Sequence, residues 1–150
     1  MPIRKLITRS SREYLDSDDI VMALLRTAAD LEHLLFCKLF FEKRISWKLM
    51  KWWTLGTYIR WNIEMGLIGR KWEKALADFL RLRNLAVHER IFIDNAKKNK
   101  KALESIKRVV LSVCNLIDKT EVKYKSSQKL ENEYGKFLNK NRSLTESYMK

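Results

Sequence analysis

Apolar and polar positions alternate along this chain with the period of helices. Ser17, Asp18 and Asp19 supply a capping residue and first-turn acids, and Ile20, Leu24, Leu31, Leu35 and Leu39 follow on one face. The pattern predicts a first helix over 18–43. From Leu34 to Phe41 it is apolar almost all round, apart from Lys38, as in a helix packed on several sides or covered by a second subunit. Ser46 can cap a second helix over 47–64. Met65-Gly66-Leu67-Ile68-Gly69 stops it, because glycine takes the left-handed conformation at helix ends most easily. A third helix is expected over 70–88, then a turn or loop at 90–95. A fourth runs to about Asp118, with Leu103, Ile106, Val110, Val113 and Ile117 forming its stripe. Beyond Thr120 the apolar residues thin out. Leu130, Tyr134, Phe137 and Leu138 keep helical spacing there, and Gly135 interrupts them at some cost.

Composition sharpens this picture. Four Gly and one Pro, Pro2, in 150 residues leave few of the residues on which tight hairpin turns depend. The expected class is therefore all-α, a four- to five-helix up-and-down bundle. A hydrophobic share of 46% and an aromatic share of 11% are too high for a disordered chain, and the length suits one domain. The organisation read from these patterns is a basic N-terminal arm at 1–17, a helical bundle at 18–119 and a polar, basic tail or short helix at 120–150.

The aromatic cluster of Trp47, Trp52, Trp53, Tyr58 and Trp61 is read as core rather than as a base-stacking surface, the ordinary use of such residues in a bundle. Cys37 and Cys114 sit among apolar residues at helical spacing and are read as small hydrophobes. Without a CxxC pair they form neither a zinc site nor a disulfide framework, and no metal or cofactor is expected. No stretch reaches about 18 uninterrupted apolar residues, the mark of a membrane span. The first 15 residues lack an apolar run of signal-peptide length, so a cytoplasmic location is expected.

With 31 Lys and Arg against 18 Asp and Glu, the formal charge is +13. That balance favours polyanionic partners through counterion release and steering, although it also fits a merely solvated surface.

The stretch most suggestive of chemistry runs from Ala75 to Glu89. Leu76, Phe79 and Leu80 precede Arg83 by seven, four and three positions, and Ala86 and Val87 follow it by three and four. Arg83 is thus expected in the middle of an apolar stripe. A guanidinium there needs a carboxylate, with Glu32 or Glu64 as candidates, or an opening to solvent or to an anion. Asn84 and His88, four apart, share a face that Arg83 does not. Pairing the helix with a two-fold copy could bring Arg83 and His88 together. His33, inside the first helix, is read as a packed or surface residue.

Arg83-Asn84-Leu85-Ala86-Val87-His88, late in the third helix of a basic all-α chain, resembles the signature of the HEPN superfamily: an arginine, a polar residue and, after four to six intervening positions, a histidine. Gly66-Leu67-Ile68 with Trp72, Leu76 and Leu80 is similar to HEPN sequences too, and the resemblance covers 18–118. It implies a homodimeric, metal-independent endoribonuclease with RNA as substrate, of the kind found among toxins and phage-defence effectors. A protein antitoxin would then be a further partner. The alternative is a non-catalytic HEPN module that binds nucleic acid, nucleotide or protein.

On this resemblance Arg83, His88 and Asn84 map onto the catalytic positions, and Arg81, Glu89 and Arg90 are expected at the substrate. In HEPN toxins paired with a nucleotidyltransferase antitoxin, a tyrosine lies two positions after the histidine. Here that position is Arg90, which departs from that subclass.

Overall fold

The computed structural model describes residues 6–122 and 132–139. Of the basic residues expected in the arm and tail, Arg4, Lys5, Lys123, Lys125, Lys129, Lys140, Arg142 and Lys150 lie outside them, as does Leu130. Eight α-helices and no strand occur among the described residues: α1 (Arg9–Asp16), α2 (Ile20–Cys37), α3 (Trp47–Met50), α4 (Leu55–Glu64), α5 (Glu73–His88), α6 (Arg90–Lys97), α7 (Lys100–Lys119) and α8 (132–139). The protein is all-α. No helix among the described residues is long and apolar enough to cross a membrane.

The chain forms two compact units, one of 6–30 with 74–120 and the other of 31–73 with 121–122 and 132–139. In the first unit α1 is anchored to the end of α7. Thr8 donates its N–H to Asp118 Oδ1 at 3.0 Å and its hydroxyl to Asp118 Oδ2 at 2.5 Å, and Arg12 Nη2 donates to the same Oδ2 at 3.0 Å. The segment carrying Arg9 and Arg12, read from sequence as part of an arm, is therefore helical and tied down. Burial works against the Asp118 charge, but the Thr8 hydroxyl and N–H together with Arg12 outweigh it and hold its pKa below the ordinary value.

Helix α7 buries Ile106, Val110, Val113, Cys114, Leu116 and Ile117 on one face. Asn99 caps it, its Oδ1 accepting from the N–H groups of Lys101 and Ala102 at 3.0 and 3.2 Å. The stretch at 90–95, read as a turn or loop, is instead helical within α6. Ile93 is its buried anchor, and a single residue, Glu89, separates it from α5.

In the second unit every side chain from Leu34 to Phe41 is buried in the single chain. The all-round apolar pattern of this run therefore needs no second subunit. Phe36 is enclosed by aromatic rings: Phe137 of α8 stacks on it at 3.8 Å between centroids and 7°, Phe40 lies at 5.1 Å, and Trp47 and Tyr58 meet it edge-on. Lys38 escapes the apolar surroundings by pairing with Glu42 at 2.8 Å and donating to the Glu121 carbonyl at 3.0 Å. Here α2 passes into a π-helical turn at Lys38–Glu42.

His33 is packed in this unit. Its Nε2 is hydrogen-bonded with the Tyr134 hydroxyl, the two rings stack at 5.6 Å, and burial lowers its pKa.

The second predicted helix, 47–64, is broken. Met50 closes α3, and Thr54 opens α4 by accepting from the Thr57 N–H at 3.3 Å. A threonine inside an apolar-aromatic run can serve as a cap as well as a helical residue, and here it caps. Gly66, at φ +72°, ends α4 as its position suggested. Asn62, fully buried, accepts at its carbonyl from the N–H groups of Leu67 and Ile68. Its side-chain amide donates to the carbonyls of Leu35 at 3.2 Å and Tyr58 at 2.8 Å.

Candidate functional site

Helix α5 buries Leu76, Phe79, Leu82 and Ala86, a face spaced by three, three and four. Arg83, four positions after Phe79 and seven after Leu76, falls between them on this side of the helix, as the spacing predicted. It is half-buried there, less covered than its apolar neighbours. That partial exposure lets its guanidinium reach solvent along an apolar stem. Its Nη1 donates to Asn84 Oδ1 at 2.8 Å, and among the described residues no carboxylate pairs with it. Glu64 pairs with Arg70 instead, at 3.5 Å.

The opposite side of α5 carries an open groove of about 440 Å³, lined by Ala77, Leu80, Arg81, Asn84, Leu85, His88 and Glu89. These positions recur every three or four residues, so the groove is one helical face. Small or apolar side chains form its floor: Ala77 is exposed, and Leu80 and Leu85 are half-buried. Asn84, His88, Arg81 and Glu89 are exposed around them. Asn84 and His88 share this face, as their spacing predicted, and Arg83 is linked to it only through Asn84.

His88 is the last residue of α5, where the helix gives way to α6. Glu89 donates its N–H to the Leu85 carbonyl at 2.7 Å, and its own carbonyl accepts from Phe92 at 2.9 Å. Arg90 opens α6 and is exposed. Beyond it Ile91 and Phe92 are exposed as well. The six residues singled out from sequence thus occupy one helix end and the corner after it, but Arg83 and His88 of one chain do not converge.

Sequence reasoning missed the groove floor. The recurrence of Ala77, Leu80 and Leu85 beside Asn84 and His88 was visible, but Leu80 was read as part of the inward stripe, which the structure places on Leu76, Phe79, Leu82 and Ala86, and Ala77 and Leu85 were given no role. Among the described residues no cluster of His, Cys, Asp and Glu could hold a metal ion.

Models of known protein families, curated proteins and solved structures were all compared with the chain, and none matches it.

Proposed function

We propose that the protein is a metal-independent endoribonuclease of HEPN type that acts as a homodimer. The observation that carries this reading is the arrangement at the end of α5. There Asn84 and His88 line an open groove, while Arg83, unpaired with any described carboxylate, is hydrogen-bonded to Asn84. An exposed imidazole and a guanidinium that no described carboxylate pairs are the two groups that strand cleavage without a metal needs, once a second copy brings them together.

The apolar floor supports the dimer. A face carrying Ala77, Leu80 and Leu85 on a helix otherwise polar on that side suits a two-fold copy of itself. Such a pairing sets each subunit's Asn84 and His88 on the shared face, with Arg83 reaching that face through its bond to Asn84. In the reaction one His88 removes the proton from a ribose 2′-hydroxyl, whose oxygen attacks the adjacent phosphorus. The bond from phosphorus to the 5′-oxygen breaks, and the second His88, as imidazolium, gives that oxygen a proton. Arg83 holds the phosphate oxygens as charge builds on them, and Asn84 orients Arg83. Arg81 and Arg90 suit flanking phosphates. Glu89 suits a ribose hydroxyl. The products are a 2′,3′-cyclic phosphate and a 5′-hydroxyl.

Incubation of pure protein with labelled RNAs in EDTA tests this. Cleavage that leaves cyclic phosphates, and that drops by about a hundredfold or more in His88→Ala and Arg83→Ala, is the expected result. Cleavage by both variants at the wild-type rate, or activity abolished by chelation, would refute it. The non-catalytic binding module is the second reading. It is favoured by the separation of Arg83 and His88 within one chain, and it becomes the better one if the protein stays monomeric and leaves RNA intact.

A further inference from the structure

The second unit carries a surface that the cleavage site does not use. From 43 to 63 the chain has Lys43, Arg44, Lys48, Lys51 and Arg60 and no acidic residue. Within that stretch the tryptophans read from sequence as core are in part outside it: Trp52 is 79% exposed and Trp61 42%. Large aromatic side chains left in water between cations, with the flanking acids Glu42 and Glu64 paired with Lys38 and Arg70, are a poor investment for folding alone.

The rings are also held in place. Trp53 and Trp61 stack with centroids 6.0 Å apart and planes within 14°. Trp53 meets Tyr58 edge-on at 5.7 Å, and Tyr58, fully buried, donates its hydroxyl to the Met50 carbonyl at 3.1 Å. The Lys51 ammonium lies 5.4 Å from the centre of the Trp52 ring.

We propose that this surface binds an unpaired RNA strand, with bases stacking on the exposed indoles of Trp52 and Trp61 and phosphates on Lys48, Lys51 and Arg60. Indole faces accept any base, and cations interleaved with them can take a backbone's phosphates, the combination that single-stranded nucleic acids require. A duplex hides its base faces and cannot use the indoles. A lipid surface would call for a helix with a continuous apolar face to bury, whereas Leu49 and Trp52 lie at the end of α3, a helix of four residues. The choice of RNA over DNA rests on the nuclease reading; the stacking surface does not.

The test uses the full chain carrying His88→Ala, so that bound RNA stays whole. Fluorescence anisotropy of a labelled 12-nucleotide single strand gives the affinity, with an RNA duplex and a DNA strand of the same length as comparators. Trp52→Ala is expected to weaken single-strand binding about tenfold, with Trp52→Tyr restoring most of it and circular dichroism unchanged. Lys48→Ala with Arg60→Ala should flatten the salt dependence.

Equal affinity for single strand and duplex, or no loss in Trp52→Ala, would overturn the proposal. So would a blue shift of tryptophan emission on vesicles of phosphatidylserine and phosphatidylcholine that competes with RNA. Tighter binding of the DNA strand would overturn the choice of RNA. Because binding is read without cleavage, a wild type that cuts RNA while Trp52→Ala binds normally sinks this inference alone. A wild type that never cuts, with binding lost in Trp52→Ala, sinks only the nuclease.

Discussion

Replacing Asp30 by asparagine is expected to stabilise the protein at neutral pH, and to do so less as the solution is acidified. The Asp30 side chain is only 13% exposed, and Arg26, one helical turn earlier, approaches it at 3.6 Å. Asp30 Oδ2 and Arg26 Nε are both buried without a hydrogen-bond partner. Burial pushes the Asp30 pKa up, Arg26 pulls it down by less, and the Asp118 charge adds to the rise, which carries it from 3.8 to about 6. At about 1.4 kcal/mol per tenfold change in proton affinity, holding the ionised form costs about 3 kcal/mol at pH 7.5.

Between pH 3.8 and about 6 the folded chain keeps a proton on Asp30 that the unfolded chain has released. Stability from this group is therefore complete below that window and lost as pH rises through it. Asparagine imitates the neutral acid at every pH. Asp30→Asn should thus gain up to about 3 kcal/mol over wild type at pH 7.5 and almost nothing at pH 3.5. Urea unfolding of both proteins at the two pH values measures the difference directly. An advantage of equal size at both, or a wild type that gains on the variant as pH rises, would refute the account of Asp30 as a poorly compensated buried charge.

Asp118 titrates with the opposite sign. Its lowered pKa means that Asp118→Asn should destabilise the protein at pH 7, a penalty that fades as acid protonates the wild-type carboxylate; weakening its bonds with Thr8 and Arg12 should cost about 2 kcal/mol, read by the same unfolding series. Phe36→Ala removes a ring enclosed by five others and should cost about 3–5 kcal/mol; a loss below about 1 kcal/mol in thermal unfolding would contradict the packing of the second unit. Leu85→Glu places a charge on the groove floor. Sedimentation should then show a dimeric wild type and a folded, monomeric variant, and a variant that still dimerises would remove α5 from the interface.

Helical class and several helix ends were legible in the chain. Asp18 to Leu39 and Asn99 to Asp118 carry long periodic stripes, and Gly66 marks a stop, because helical periodicity and capping act over a few residues and are written locally. Asn84 and His88 sharing a face follows from helical geometry alone, and the structure keeps it. The break at Thr54 was not legible, since threonine within an aromatic run suits a helix interior or a cap, and packing around Met50 and Tyr58 selects between them. The short α6 was not legible either, because Ile93 becomes an anchor only once the unit folds around it.

Three other decisions were tertiary. The apolar run at 34–41 suggested a second subunit, yet Tyr134 and Phe137, a hundred residues away in sequence, cover Phe36. The tryptophans near residue 52 suggested core, yet the core was already filled by Phe36, Phe40, Met50 and Tyr58, and Trp52 and Trp61 were left in solvent. Arg83 lies between Leu76 and Phe79 on its helix, and how completely that side is covered depended on how α5 packs against its neighbours, a choice that a single helix cannot make. The sequence by itself determined which segments are helical and which residues share a helix face, since both are properties of adjacent turns. Which face is covered, and by what, was decided only by tertiary structure, because burial is a property of distant segments competing for the same apolar surface.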